Sequence, residues 1–93
     1  MTYKPNPIDT RAVELPPHIA ALMEHLAENT HENWSARRMA QGWTWGSERN
    51  DVRKEHPCLV PYDELPEAEK EYDRAAAAET LKAILVLGYR IEK

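Results

Sequence analysis

At 93 residues this chain is a single domain near the small end of what folds alone. Hydrophobic residues at 42% and charged residues at 30% exclude a disordered polypeptide, and a net charge of -4 excludes broad binding to a nucleic-acid backbone, which needs a positive field. The single cysteine, Cys58, excludes an internal disulfide framework and a thiolate metal site built by one chain.

The opening MTYKPNPIDT lacks the apolar core of a signal peptide, and the longest apolar run, Ala83 to Leu87, is far short of the roughly twenty residues that span a bilayer. Together with the lone thiol, this predicts a cytoplasmic protein with no membrane contact. Residues 1–15 carry Pro5 and Pro7 without a sustained period and read as an extended arm.

The first helix is expected over 16–41. Pro16 and Pro17 open it, because proline's fixed φ suits the first turn, and Gly42 stops it. Ile19, Leu22, Met23 and Leu26 form its apolar stripe. Continued at about 100° per residue, that face carries Thr30, Asn33 and Arg37, with Trp34 beside them. Either the helix kinks near Asn29, or Arg37 turns inward to a carboxylate or anion, or Arg37 lies flat with its head in water.

Residues 42–65 form a long proline-rich loop in which Leu59-Val60 is the best strand candidate, confined by Pro57 and Pro61 to a short or edge strand. The second helix is expected over 66–87. Pro66 starts it, Glu67, Glu69 and Glu71 suit the positive end of its dipole, and Ala75 to Ala78 are strong helix formers. Leu81, Ile84, Leu85, Val86 and Leu87 surround the axis, which predicts burial on most sides. Gly88 caps it, and in the tail 88–93 the stretch Tyr89 to Ile91 can pair as a short strand. The chain has no internal repeat or low-complexity tract.

Catalytic signatures are absent: no nucleophile elbow, phosphate-binding loop or dinucleotide glycine fingerprint appears. His31-Glu32-Asn33-Trp34-Ser35 begins like a zinc-protease helix but has Ser35 where the second histidine ligand belongs. His25, Glu28 and Glu32 share one helix face and read as solvated polar groups rather than metal ligands. Cys58 beside His56 lacks an orienting third group and reads as a small structural hydrophobe. No metal or other cofactor is expected.

The remaining signal is the loop. Trp43 and Trp45 alternate around Thr44 and would point the same way in an extended stretch, with Arg49, Arg53, Lys54 and His56 following. Paired indoles and guanidinium groups can sandwich a purine and hold a phosphate. The alternative is that both indoles bury in a core that lacks phenylalanine, while Arg49 pairs with Asp51.

The strings GWTWG, RND, HPCLVPY, LPEAEKEYDR and ETLKAILVLGY resemble the ryanodine-receptor repeat, the RyR domain. In the arm and first helix, Tyr3, Pro5, Pro7, Ile8, Asp9 and Thr10, then Leu15-Pro16 and the run from Leu26 to Trp34, match in order. The resemblance runs from about Tyr3 to Ile91 and is to a stand-alone single repeat of bacterial or phage type. It implies an α+β, predominantly helical fold: two main α-helices with short antiparallel β-strands and the proline-rich loop. It also implies a homodimer replacing the tandem pair of repeats found in the receptors, and a module that binds rather than catalyses.

The expected function is therefore a non-enzymatic, dimeric binding module for a nucleotide or similar anionic small molecule. Trp43 and Trp45 would stack, Arg49 and His56 would contact the anion, and Arg37 would support them from the first helix. The competing reading is a structural, protein-interaction module with no small-molecule ligand.

Overall fold

A computed structural model describes residues 2–93. Helix α1 spans Pro17–Ala40 and α2 spans Glu67–Val86, and the two pack against each other. Strands β1 (Thr44–Trp45) and β2 (Glu55–His56) and a 3-10 turn at Tyr62–Glu64 occupy the connection. The architecture is helix-dominated α+β.

Both helices end the same way. Gly42 has φ +92°, its N–H donates to Met39 O at 3.0 Å, and Trp43 N–H donates to Arg38 O at 3.0 Å. At the end of α2, Gly88 has φ +95°, with Gly88 N–H to Leu85 O at 3.1 Å and Tyr89 N–H to Ile84 O at 3.2 Å. These are paired Schellman bonds, which satisfy carbonyls that the helix itself leaves free and need a left-handed residue that glycine adopts without a Cβ penalty.

The strands pair in parallel, Thr44 with Glu55 and Trp45 with His56, which corrects the antiparallel expectation. The chain reverses twice between them. An antiparallel bridge joins Asn50 to Glu55, closed by two 2.9 Å backbone bonds, and Asn50 Oδ1 accepts from Arg53 N–H at 2.9 Å inside that turn. Lys54 takes the positive φ of 55° that the reversal requires. Gly46 makes the close approach possible: a Cβ there would lie 2.6 Å from that of Glu55.

Two other strand candidates do not form. Leu59 is buried without pairing in a sheet, and Val60 gives its carbonyl to His31 instead; Tyr89 uses its N–H to close the end of α2. The end of α2 is also more open than its composition predicts. Leu81 is buried, but Val86 and Leu87 are exposed.

The core runs through Ile19, Ala27, Trp43, Leu59, Tyr62, Leu65, Ala77 and Leu81. Helix α1 is a single unbroken element, and Thr30, Asn33 and Arg37 are all exposed on it. The inward line is one residue over: Ala27 and His31 are buried, and Trp34 and Arg38 follow half-buried. Ala27, fully buried, packs with Tyr62 and Leu65, with Cys58 and Val60 against them.

The arm lies on α2 and is anchored at Thr10, whose hydroxyl donates to Glu79 Oε2 at 2.6 Å. Across the helix pair, Arg74 donates to Glu24 of α1 at 2.7 Å and to Glu67 and Glu71 of its own helix at 3.0 and 2.6 Å. Tyr62 donates its hydroxyl to the same Glu24 at 3.1 Å. One guanidinium thereby ties both helices and the loop.

Candidate functional site

The five residues marked for anion recognition go to different places. Trp43 is buried at the end of α1, where the Schellman bonds carry it over Arg38. Trp45 is 56% exposed on β1. Arg49 is paired with Asp51 on the exposed loop at 2.9 Å, a contact that holds the Asp51 carboxyl below its usual range. Arg37 is exposed on α1. Only His56 of the five lines the cleft between the two helices.

That cleft has a volume of about 280 Å³. Helix α1 contributes His31 and Trp34, the loop contributes His56 and Cys58, and α2 contributes Glu69 and Asp73. The aromatic side is tightly organised. His31 stacks on Trp34 with centroids 5.6 Å apart, and Trp34 meets His56 edge-on at 5.0 Å. Arg38 covers the outer side, its guanidinium carbon 5.8 Å from the Trp34 ring and 4.8 Å from the Trp43 ring.

Hydrogen bonding selects the tautomers. His31 is 4% exposed, and its Nε2 lies 2.7 Å from Val60 O. A carbonyl only accepts, so Nε2 carries a hydrogen and donates it. His56 is the reverse case: its Nδ1 accepts from Cys58 N–H at 3.0 Å, which leaves the hydrogen on Nε2.

Burial dominates the protonation behaviour. It lowers the His56 pKa, helped by the charges of Arg49 and Arg38, so the ring stays neutral at physiological pH. It raises the Cys58 thiol, with Glu69 and Asp73 adding to the effect. It also raises the Asp73 carboxyl, which the charge of His31 partly offsets. The cleft thus holds a protonated thiol and the neutral His56 ring beside two carboxylates, and no lysine or arginine lines it. Among the described residues no group of histidine, cysteine and acidic side chains converges closely enough to hold a metal ion.

A family model described as the RyR domain matches residues 3–93. The chain belongs to the RyR domain family. The match covers nearly all of it, and the strings that suggested the family have structural roles in this RyR domain. In HPCLVPY, His56 braces the backbone at Cys58, Leu59 and Tyr62 enter the core, and Val60 receives His31. In LPEAEKEYDR, Leu65 is core, Lys70 lies 5.7 Å over the Tyr62 ring, Asp73 lines the cleft and Arg74 clamps the helices.

Sequence reasoning did not pick out His31, Arg38, Glu69, Asp73 or Arg74 for these positions. A signal was there for two of them. Glu69 and Asp73 are spaced i, i+4 on α2, which puts both carboxylates on one face. No helix of the described residues is long and apolar enough to cross a membrane.

Proposed function

We propose that this RyR domain is a non-enzymatic interaction module that functions as a homodimer, the second copy covering the arm and the open end of α2. The observation carrying this reading is unfilled surface. The chain exposes 7410 Å², whereas about 5,500 Å² is expected for a compact monomer of its mass. Its radius of gyration is 16.1 Å, against about 12 Å for a compact domain of this length. The excess, about 1,900 Å² on one chain, is more than the roughly 800 Å² that each partner gives to a standard interface.

Among the described residues, five of the nine exposed large hydrophobic residues lie on the arm and at the end of α2. Tyr3 and Ile8 on the arm, and Val86, Leu87 and Tyr89 at the end of α2, are all exposed. An open groove of about 780 Å³ between the arm and α2 is bordered by Ile8, Thr10, Glu79 and Ala83. Exposed apolar surface beside a groove is a common feature of interaction sites.

Binding without turnover fits the chemistry of the cleft. The Cys58 thiol is pushed up by burial, away from the thiolate a nucleophile needs, and the nearest imidazole already spends its Nδ1 on a backbone N–H. Anion recognition through Trp43, Trp45, Arg49, His56 and Arg37 gains no support from the geometry, because those side chains do not converge.

The test is mass measurement by light scattering across the micromolar range. A dimer that dissociates in Leu87→Asp and Ile8→Asp variants, both at exposed positions and therefore compatible with folding, is the expected result. A monomer at all these concentrations overturns the reading.

A further inference from the structure

The arm is tied to the rest of the chain by very little. Among the described residues, residues 2–9 are all exposed and none of them makes a backbone–backbone hydrogen bond. Asn6 to Arg11 border α2 across the open groove, so the arm lies beside the helix without filling the space between them. Pro5 and Pro7 restrict its φ angles to extended backbone, so it carries no structure of its own that moving would unfold.

One contact is specific. Thr10 is buried, and its hydroxyl donates to Glu79 Oε2 at 2.6 Å. The chain brings Thr10 there by folding back: Val13 N–H donates to Thr10 O at 3.1 Å around Arg11 and Ala12. Neither central residue is of the types that favour a turn, which are glycine, proline, asparagine, aspartate and serine. Asp9 bonds Arg11 through its backbone N–H at 3.1 Å and its guanidinium at 2.8 Å, but these contacts are local to the arm and move with it. Beyond the turn, Pro16 is already extended, with φ −58° and ψ 154°.

The base of the arm and the chain beyond α2 lie at the same end of the molecule. His18, Ile19 and Leu22 at the start of α1 border one cavity with the tail residues Ile91, Glu92 and Lys93. This is the end that the second copy covers in the proposed dimer.

We infer that the two copies exchange their arms, so that residues 2–10 of each lie on α2 of the other and Thr10 of one donates to Glu79 of the second copy. The exchange rests on the proposed dimer. It preserves the contacts of the arm with α2, because groove and acceptor are the same on both copies, and it opens only the Thr10–Val13 turn. Ala12 to Leu15 span about 14 Å when extended, enough to carry the arm across an interface at this end. A single copy keeps its arm, which is tethered beside its own α2 at high effective concentration. Once a second copy covers that end, both helices compete for each arm on equal terms, and release of the turn decides for the crossed arrangement.

The experiment uses the 93-residue chain as an equal mixture of isotope-labelled and unlabelled copies, unfolded together in urea and refolded, with the mass followed by light scattering. An isotope-filtered NOESY spectrum then reports contacts between a labelled and an unlabelled chain. Cross-peaks between the Thr10 methyl group and the Glu79 side chain are expected in it. A dimer in which those cross-peaks are all intrachain overturns the exchange and leaves the dimer standing. A monomer overturns the dimer, and the exchange with it. Ala12→Pro gives a second readout, since proline is disfavoured at that turn position and pushes Arg11 toward extended backbone. That variant should remain a dimer with a severalfold lower dissociation constant. An unchanged or raised constant overturns the exchange.

Discussion

Arg38 lies over Trp43, its guanidinium carbon 4.8 Å from the ring centroid, because the end of α1 puts them there. In a Schellman ending the residue after the left-handed glycine folds back beside the residue five positions earlier. Here those residues are Trp43 and Arg38, joined by a 3.0 Å backbone bond. The cation–π contact is thus a consequence of Gly42 and of the helix register. It also explains why Arg38, and not Arg37, reaches the aromatic cluster.

Gly42→Ala should destabilise the domain by about 1–2 kcal/mol, the cost of a left-handed conformation for a residue with a Cβ. Gly88→Ala meets the same backbone penalty but no neighbouring atom within 4 Å, and the residues after it are mostly exposed. Its effect in urea unfolding should be the smaller of the two, because Gly42 leads directly into buried Trp43 and Gly88 leads into the tail. Equal losses would show that the placement of Trp43 adds nothing to the capping cost.

His31→Ala removes the donor to Val60 O and opens space beside Trp34 and Tyr62. An unsatisfied buried carbonyl alone costs about 1–3 kcal/mol. His31→Gln, whose amide can still donate, should recover part of the loss in thermal melts. No recovery with Gln would shift the weight from the hydrogen bond to ring packing.

Gly46→Ala tests the parallel pairing. The added methyl group would meet Glu55 at 2.6 Å, so β1 and β2 would have to separate. Overpacking of this kind costs about 1–3 kcal/mol. Hydrogen exchange should quicken at Gly46 and Thr44, whose N–H groups donate to His56 O and Lys54 O.

The pH profile should have opposing components. The folded pKa of His56 lies below the ordinary 6.5, so the unfolded chain takes the proton first. Stability therefore falls as pH drops below about 6.5 and levels off under the folded pKa. His56→Asn, which keeps an acceptor for Cys58 N–H, should flatten that slope. At lower pH, Glu24 and Glu67 are held below their ordinary 4.5, chiefly by Arg74, and their contribution is lost as they protonate. Asp73 acts oppositely: its pKa is raised above 3.8, the native state takes that proton first, and stability gains as pH falls through it. Asp73→Asn should accordingly be at least as stable as the parent at pH 7, measured by denaturant unfolding.

Arg74→Gln should lower the melting temperature by breaking the link from α2 to Glu24 of α1, and the difference from the parent should shrink in high salt. A double-mutant cycle with Glu24→Gln isolates that pair. Strict additivity would mean that Arg74 acts only through Glu67 and Glu71.

Much of the fold was legible locally. Pro17, Pro66, Gly42 and Gly88 are backbone signals whose meaning depends on one or two dihedral angles, and each appears at a helix terminus. The candidate site was much less legible. Projecting the stripe from Leu26 leads to Arg37, while the line that enters the core starts from Ala27, because a methyl side chain lets Tyr62 and Leu65 approach closely. A shift of one residue rotates the helix face by about 100° and exchanges Arg37 for Arg38. Likewise, alternation around Thr44 suggested paired indoles, but Trp43 belongs to the helix cap and Trp45 to a strand.

By itself the sequence determined the RyR family, the two helices, their capping and the absence of a disulfide framework, because each depends on residue identities close together in the chain or on their order along it. The tertiary structure decided which side chains share a cavity. His31, His56 and Asp73 are 17 to 42 residues apart and meet only when α1, the twice-reversed loop and α2 have packed. It also decided their chemistry, because the burial that keeps His56 neutral and leaves Asp73 without a partner belongs to the assembled fold and to none of its segments.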